Sequence, residues 1–290
     1  MNWWEALVLG LVQGLTEFLP ISSSAHLRVV GELLPSGTDP GAAFTAITQI
    51  GTETAVLLYF RRDIARIVTA WWRALRGEHG THWQARLGES DPDARMAWWI
   101  ALGSVPIVAL GLTLEDSIKG PFRSLYVIAA TLAVFAVVLG WADRTGRRER
   151  TLDQLTWQHA LGFGLWQALA LVPGVSRSGG TISGGLLMGY TREAAARYSF
   201  LLAIPAVLGS GVQQLVTSLD EFGTAGTPGL GATLLATAVA FVVGYVVIIG
   251  FLRLVTTRSF MPFVWYRFAF AAVIVVLVAS GVLDAVGSSA

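Results

Sequence analysis

The chain has no cysteine, which excludes disulfides, thiolate catalysis and zinc sites built on sulfur. Charge is scarce as well. Only 13% of the 290 residues are Asp, Glu, Lys or Arg, against about 25% in soluble domains. A single lysine, Lys119, stands among the 20 basic residues, and the formal net charge of +1 by itself says nothing about partners; no nucleic-acid partner is expected. Apolar surface takes the place of charge: 54% of residues are hydrophobic and the mean hydropathy is +0.61. Several runs reach the roughly 20 apolar residues that a bilayer requires. This is an integral membrane sequence. No cleavable leader is expected, since Glu5 stands in place of a basic start and Glu17 interrupts the apolar stretch.

Six full spans are expected, at about 41–60, 96–114, 124–142, 194–219, 230–252 and 263–284. Two further segments, about 3–34 and 157–190, are apolar but broken in the middle by proline and polar residues. Broken backbone at membrane depth is tolerated only where protein or a wet cavity covers its freed polar groups. Both segments therefore read as re-entrant hairpins that enter and leave on one side. The arginines sort the connections. The 61–95 stretch carries Arg61, Arg62, Arg66, Arg73, Arg76, Arg86 and Arg95, the 143–156 stretch Arg144, Arg147, Arg148 and Arg150, and the 253–262 stretch Arg253 and Arg258. The alternate connections hold Lys119 and Arg123 in one case and no base in the 220–229 loop. By the positive-inside rule the arginine-rich group is cytoplasmic, with both termini outside. Residues 61–76 have Ile64, Ile67, Val68, Trp71, Trp72 and Leu75 at helical spacing, an amphipathic interfacial helix.

An inverted repeat follows from this arrangement. Leu11-Val12-Gln13-Gly14-Leu15, then Leu19-Pro20, resembles Leu165-Trp166-Gln167-Ala168-Leu169, then Val172-Pro173. Three spans separate the hairpins, so the halves face opposite ways and their broken helices meet near the midplane. The expected fold is an all-α polytopic membrane protein with six transmembrane helices and two re-entrant hairpins. It forms one domain over 1–290, with repeats 1–142 and 157–290.

The two breaks carry the chemistry. The first runs Gln13-Gly14-Leu15-Thr16-Glu17-Phe18-Leu19-Pro20-Ile21-Ser22-Ser23-Ser24-Ala25-His26, the second Pro173-Gly174-Val175-Ser176-Arg177-Ser178-Gly179-Gly180-Thr181. Ionisable groups inside a membrane are costly and mark functional sites. Arg177 offers a permanent charge and a planar fork suited to phosphate oxygens. Ser176, Ser178 and Thr181 add hydroxyls, and Gly174, Gly179 and Gly180 let backbone amides approach an anion. The alternative is an arginine paired with a carboxylate. His26 is the leading nucleophile or general base. Glu17 could orient the imidazole, protonate the leaving group or help hold a divalent cation. Ser22, Ser23 and Ser24 could bind phosphate, supply the nucleophile or simply cap a helix. Gln13 shares a helical face with Glu17, and Gln49 and Glu53 share one in the first full span. His79, His82 and Glu78 belong to a solvated loop. Gly180/Gly184 and Gly185/Gly189 have the spacing of close helix packing. The phosphate-cradling run is not a P-loop, because the lysine is missing. Nor is it the membrane-phosphatase signature with a histidine six residues after the arginine, where this chain has Ser183.

The runs QGLTEFLPISSSAH and PGVSRSGGT resemble the two signature regions of the bacterial undecaprenyl-diphosphate phosphatase family, linked to bacitracin resistance. The 44–51 segment and Arg61-Arg62 are similar to that family too, and the resemblance covers essentially the whole chain. It implies hydrolysis of undecaprenyl diphosphate to the lipid phosphate that carries cell-wall precursors, at the outer face of the inner membrane. The substrate would be a polyprenyl diphosphate reached within the bilayer, a homodimer being left open. The matching functional positions are Glu17, Ser23, His26, Ser176, Arg177 and Thr181. The resemblance also implies help from Mg2+ or Ca2+, yet no closed set of metal ligands is visible, Glu17 being a candidate. Gln13 stands at a position often occupied by Glu, which weakens a two-carboxylate metal site. A polyprenyl-phosphate transporter or flippase is the alternative, since inverted repeats and broken helices also build transporters.

Overall fold

The computed structural model describes residues 1–37, 39–78, 80, 82–114, 117–118, 121–218, 222 and 228–286. His79, Lys119 and most of the 220–229 loop lie outside the described residues. Among the described residues the regular structure is all helix, with one isolated bridge between Arg150 and Tyr190. Helices α1 (Trp3–Thr16) and α2 (Ser23–Leu33) occupy the first broken segment, followed by α3 (Gly41–Tyr59), α4 (Arg61–Leu75), α5 (Pro92–Thr113) and α6 (Leu125–Thr145). The second broken segment holds α7 (Trp157–Ala168) and α8 (Arg177–Leu187). The chain continues through α9 (Arg192–Thr217), α10 (Leu230–Thr257) and α11 (Met261–Ala279).

Local chemistry explains the boundaries. Asp91 caps α5 by accepting from the Asp93 and Ala94 amides, with Pro92 at the first helical position. Thr156 and Thr191 cap α7 and α9 in the same way. Helix α4 keeps its expected place and buries Ile67 and Ala74.

Among the described residues five helices, α5, α6, α9, α10 and α11, are long and apolar enough to cross a membrane. The expected span at 41–60 is not one of them. Helix α3 is 19 residues long, as α11 is, but its Thr45, Thr48, Gln49, Thr52, Glu53 and Thr54 lower its hydropathy. The expected span at 263–284 is also shorter. Helix α11 ends at Ala279, the chain turns at Ser280 and Gly281, and Ala285 accepts from the Leu125 amide.

Glycines set how closely helices approach. A Cβ on Gly51 of α3 would come within 2.1 Å of Thr237 O on α10, and one on Gly164 of α7 within 2.2 Å of Gly103 O on α5. The glycines of α8 serve packing as their spacing suggests: Gly184 accommodates the Trp166 ring and Gly185 the Phe163 ring.

Polar contacts gather the helix ends into two groups. Asp63 meets Arg197, Arg66 meets Asp93, Asp143 meets Arg192, and the Phe260 amide donates to Asp143. In the other group Glu5 accepts from the Ser36 amide, and Asp39 pairs with Arg28 and Arg123.

Candidate active site

Pro20 and Pro173 remove backbone donors and stop the helices that precede them, so both hairpins turn inside the fold. Each chain then restarts a helix after a serine in the left-handed region: Ser22 (φ 72°) before α2 and Ser176 (φ 71°) before α8. A left-handed non-glycine costs on the order of 1–3 kcal/mol and persists only where its surroundings fix it. Those surroundings are the opposite tip. The Gly174 amide donates to Ser22 Oγ at 3.2 Å, and Ser178 Oγ donates to Leu19 O at 3.0 Å. Each tip repeats the same internal contact, Ser22 Oγ with Ser24 Oγ and Ser176 Oγ with Ser178 Oγ, both at 3.2 Å.

Arg267 of α11 joins the tips from behind. It is fully buried, and its fork donates to five carbonyls: Leu132, Pro20, Val175, Thr131 and Gly174, at 2.8–3.4 Å. A guanidinium has five N–H donors, and each finds a carbonyl. Because a peptide's N–H lies trans to its C=O, anchoring Val175 O turns the Ser176 amide away from Arg267.

In front of the tips, Glu17 collects four donors. Its Oε1 accepts from Arg177 Nη2 at 2.6 Å. Its Oε2 accepts from Ser23 Oγ at 2.6 Å, Gln13 Nε2 at 2.8 Å and Gln49 Nε2 at 3.3 Å. The carboxylate is thus tied to α1, α2, α3 and α8 together, and charge-assisted bonds of this length are strong. The alternative partner for Arg177, a carboxylate, is the one observed. Glu53 also approaches, its Oε2 lying 3.8 Å from Arg177 Nη1.

These groups face a cavity of about 570 Å³. Glu17, Ser22, Ser23, Ser24, Ser176 and Arg177 line it, while α5 and α9 supply apolar groups, including Ile107, Val108 and Val207, with Arg123, Gln213 and Gln214 adding further polar lining. Other expected groups stand back from it. Gln13 is fully buried behind Glu17. Gly179 donates its amide to Ser176 Oγ, and Ser178 is spent on Leu19 O. Thr181 donates to Arg177 O and contacts Ser199 Oγ, a helix-packing role.

His26 requires a correction. Glu17 does not orient it: Nδ1 lies 2.7 Å from Ser22 O, Nε2 lies 2.7 Å from Tyr266 Oη, and the ring stacks on Phe270. The imidazole therefore braces the Ser22 turn. The cause is the helical period, because a side chain four residues along α2 from Ser22 reaches back to that carbonyl. Tyr266 and Arg267 escape a reading of motifs alone, although an arginine inside an apolar run is a signal in its own right.

Fold and site together define a multi-pass helical membrane protein with an ionised pocket where two broken segments meet. The profile of the family described as Bacitracin resistance protein BacA matches residues 6–273, and the chain belongs to that family. It is 59% identical over 285 residues to a Micrococcus luteus protein named Undecaprenyl-diphosphatase, covering 98% of this chain and 100% of the relative. A Paenarthrobacter aurescens protein of the same name is 58% identical with the same coverage. An Agrobacterium fabrum protein named Undecaprenyl-diphosphatase 2 is 59% identical over 288 residues, covering 99% of each chain.

Proposed function

We infer that the chain hydrolyses undecaprenyl diphosphate to undecaprenyl phosphate and inorganic phosphate, recycling a lipid carrier of cell-wall synthesis and giving resistance to bacitracin. The observation that carries the mechanism is the Ser23–Glu17–Arg177 set in a cavity that also has apolar lining. A prenyl chain fits the apolar lining and its diphosphate the Ser23–Glu17–Arg177 set. Arg177 clamps the terminal phosphate, aided by Ser176, Ser22 and Ser24, and neutralises charge on its oxygens, the main requirement of phosphoryl transfer. Ser23 attacks the terminal phosphorus and passes its proton to Glu17, while the P–O bond to the lipid phosphate breaks. Water then attacks the phosphoserine, the P–Oγ bond breaks with Glu17 returning its proton to Ser23 Oγ, and inorganic phosphate leaves with the water's oxygen. What supports Ser23 over His26 is its 2.6 Å bond to a carboxylate, against an imidazole engaged by Ser22 O and Tyr266.

A divalent cation, Mg2+ or Ca2+, enters this reading only as counter-ion of the diphosphate. Glu17 has its oxygens engaged by four donors, so it does not fit a resident metal. Among the described residues no cluster of three or more His, Asp or Glu could hold one. No step runs through it.

The arrangement in the bacterial inner membrane is six crossings, with α3 as the sixth, and two hairpins, α1–α2 and α7–α8, that return to their own sides as an inverted repeat. Its support is the matched Ser22 and Ser176 turns and the two groups of helix-end contacts. The arginine-rich end is cytoplasmic and the site opens outward, with both termini on the outer side. The test is phosphate release from farnesyl or undecaprenyl diphosphate by purified protein in detergent. Wild type should release phosphate, with Arg177→Ala and Ser23→Ala down by about a thousandfold or more. No release by wild type, with lipid phosphate still bound, would favour transport instead.

A further inference from the structure

Glu53 is a fully buried carboxylate, and among the described residues neither of its oxygens has a hydrogen-bond partner. A buried charge without a partner is among the most costly arrangements in a protein. Its nearest ionic neighbour is Arg177 Nη1 at 3.8 Å, a nitrogen that is itself buried and without a hydrogen bond. Arg177 is therefore flanked by two carboxylates, Glu17 bonded to Nη2 and Glu53 facing Nη1. Glu17 and Arg177 line the cavity, whereas Glu53 does not. It is fully buried and meets the site through the guanidinium.

We propose that Glu53 is a positioning residue that holds the Arg177 fork from its second side, fixing the plane in which it meets the terminal phosphate. Two anchors on different helices, Glu17 on the α1 side and Glu53 on α3, define the orientation of a planar group where one would leave it free to pivot. The second anchor matters most when Glu17 takes the Ser23 proton, because a neutral Glu17 no longer holds the guanidinium by charge. Glu53 then keeps Arg177 from following the departing phosphate. The same negative charge opposes anion binding, so Glu53 trades ground-state affinity for orientation.

This proposal rests on the phosphatase reading, and two readouts separate them. Turnover of farnesyl diphosphate by wild type reports on that reading alone. Glu53→Gln should lower kcat by about tenfold while KM, and the affinity for inorganic phosphate measured by calorimetry, stay level or tighten by about threefold. In an Arg177→Lys background the same change should cost less than about threefold further, because a residue acting through Arg177 loses its effect with it. A merely structural role would lower thermal stability and repeat its full cost in both backgrounds. Unchanged kcat in Glu53→Gln, or an equal loss in both backgrounds, overturns the proposal. If wild type turns nothing over, weaker phosphate binding by Glu53→Gln overturns it alone. Should Glu53→Gln not fold, Glu53→Asp keeps the charge but withdraws it from Nη1. It should lose kcat with phosphate affinity unchanged, and wild-type turnover in that variant overturns the proposal.

Discussion

Arg177 brings one positive charge into a space that also holds the carboxylates of Glu17 and Glu53. A lysine there would keep the charge but replace a planar fork by a point donor, which cannot hold Glu17 and a phosphate oxygen together. Arg177→Lys should retain folding and lose about a hundredfold in phosphate release, a loss of about 2.7 kcal/mol in transition-state stabilisation. The three adjacent serines separate by their partners. Ser23 donates to Glu17, whereas among the described residues the Ser24 hydroxyl bonds only to that of Ser22. Ser23→Ala should therefore abolish turnover, and Ser24→Ala should cost about tenfold or less. Equal losses, read from initial rates at saturating substrate, would remove Ser23 from the role of nucleophile. Tyr266→Phe tests the histidine. If His26 braces the Ser22 turn through stacking and its bond to Ser22 O, losing one hydroxyl should cost only about twofold to fivefold in kcat. The polar members of the site are legible in the sequence because ionisable groups stand out in apolar runs. Which group touches which is not, since Glu17, Ser23, Gln49 and Arg177 come from four helices whose relative rotation no local pattern encodes.

Arg267 links elements rather than residues. Its five carbonyl partners belong to α6 and to both hairpin tips, so α11 determines how the two breaks meet. An ammonium has three donors and no fork, and Arg267→Lys would leave carbonyls from at least one tip unpaired in the interior. Each orphaned buried acceptor costs about 1–3 kcal/mol. The expected outcome is a lower unfolding temperature in detergent together with lost turnover, unlike Arg177→Lys, which should lose turnover alone. Gly174 belongs to the same construction. It sits at φ +94°, and a Cβ there would lie 2.0 Å from Thr131 Oγ1, so Gly174→Ala should behave as Arg267→Lys does. Helix positions are largely legible from hydropathy: α5, α6, α9 and α10 fall within a few residues of expectation. Helix α3 (Gly41–Tyr59) also lies where expected, with polar residues that lower its hydropathy. The end of α11 does not, because it is set by a turn whose Ala285 carbonyl caps the start of α6, a tertiary bond that hydropathy does not report.

The proposed orientation of the whole molecule rests on its arginines, while its tryptophans bear on where the membrane boundaries lie. Arginines crowd one group of connections, as the positive-inside rule requires of a cytoplasmic face. Tryptophans mark both boundaries: exposed Trp72, Trp83, Trp141, Trp157 and Trp265 lie toward the arginine-rich end, and exposed Trp3 and Trp4 at the start of α1 lie toward the other. Interfacial tryptophan prefers the headgroup level on each side, so two belts at opposite ends fit a spanning body. Because the chain has no cysteine, any introduced thiol is its only one, and sidedness can be read without a background. Ser36 is exposed between α2 and α3, and Glu89 is exposed between α4 and α5. In intact cells an impermeant maleimide should label Ser36→Cys at once and Glu89→Cys only after permeabilisation. The reverse pattern would turn the molecule over and put the cavity mouth in the cytoplasm. Labelling of both from outside would mean that α3 does not cross. That second outcome is the sharper one, because α3 carries Gln49 and Glu53 to the site and is the proposed crossing that falls short of the hydropathy of the other five. As a crossing, its depth in the bilayer must come from packing against α10 through Gly51 rather than from its own apolar character.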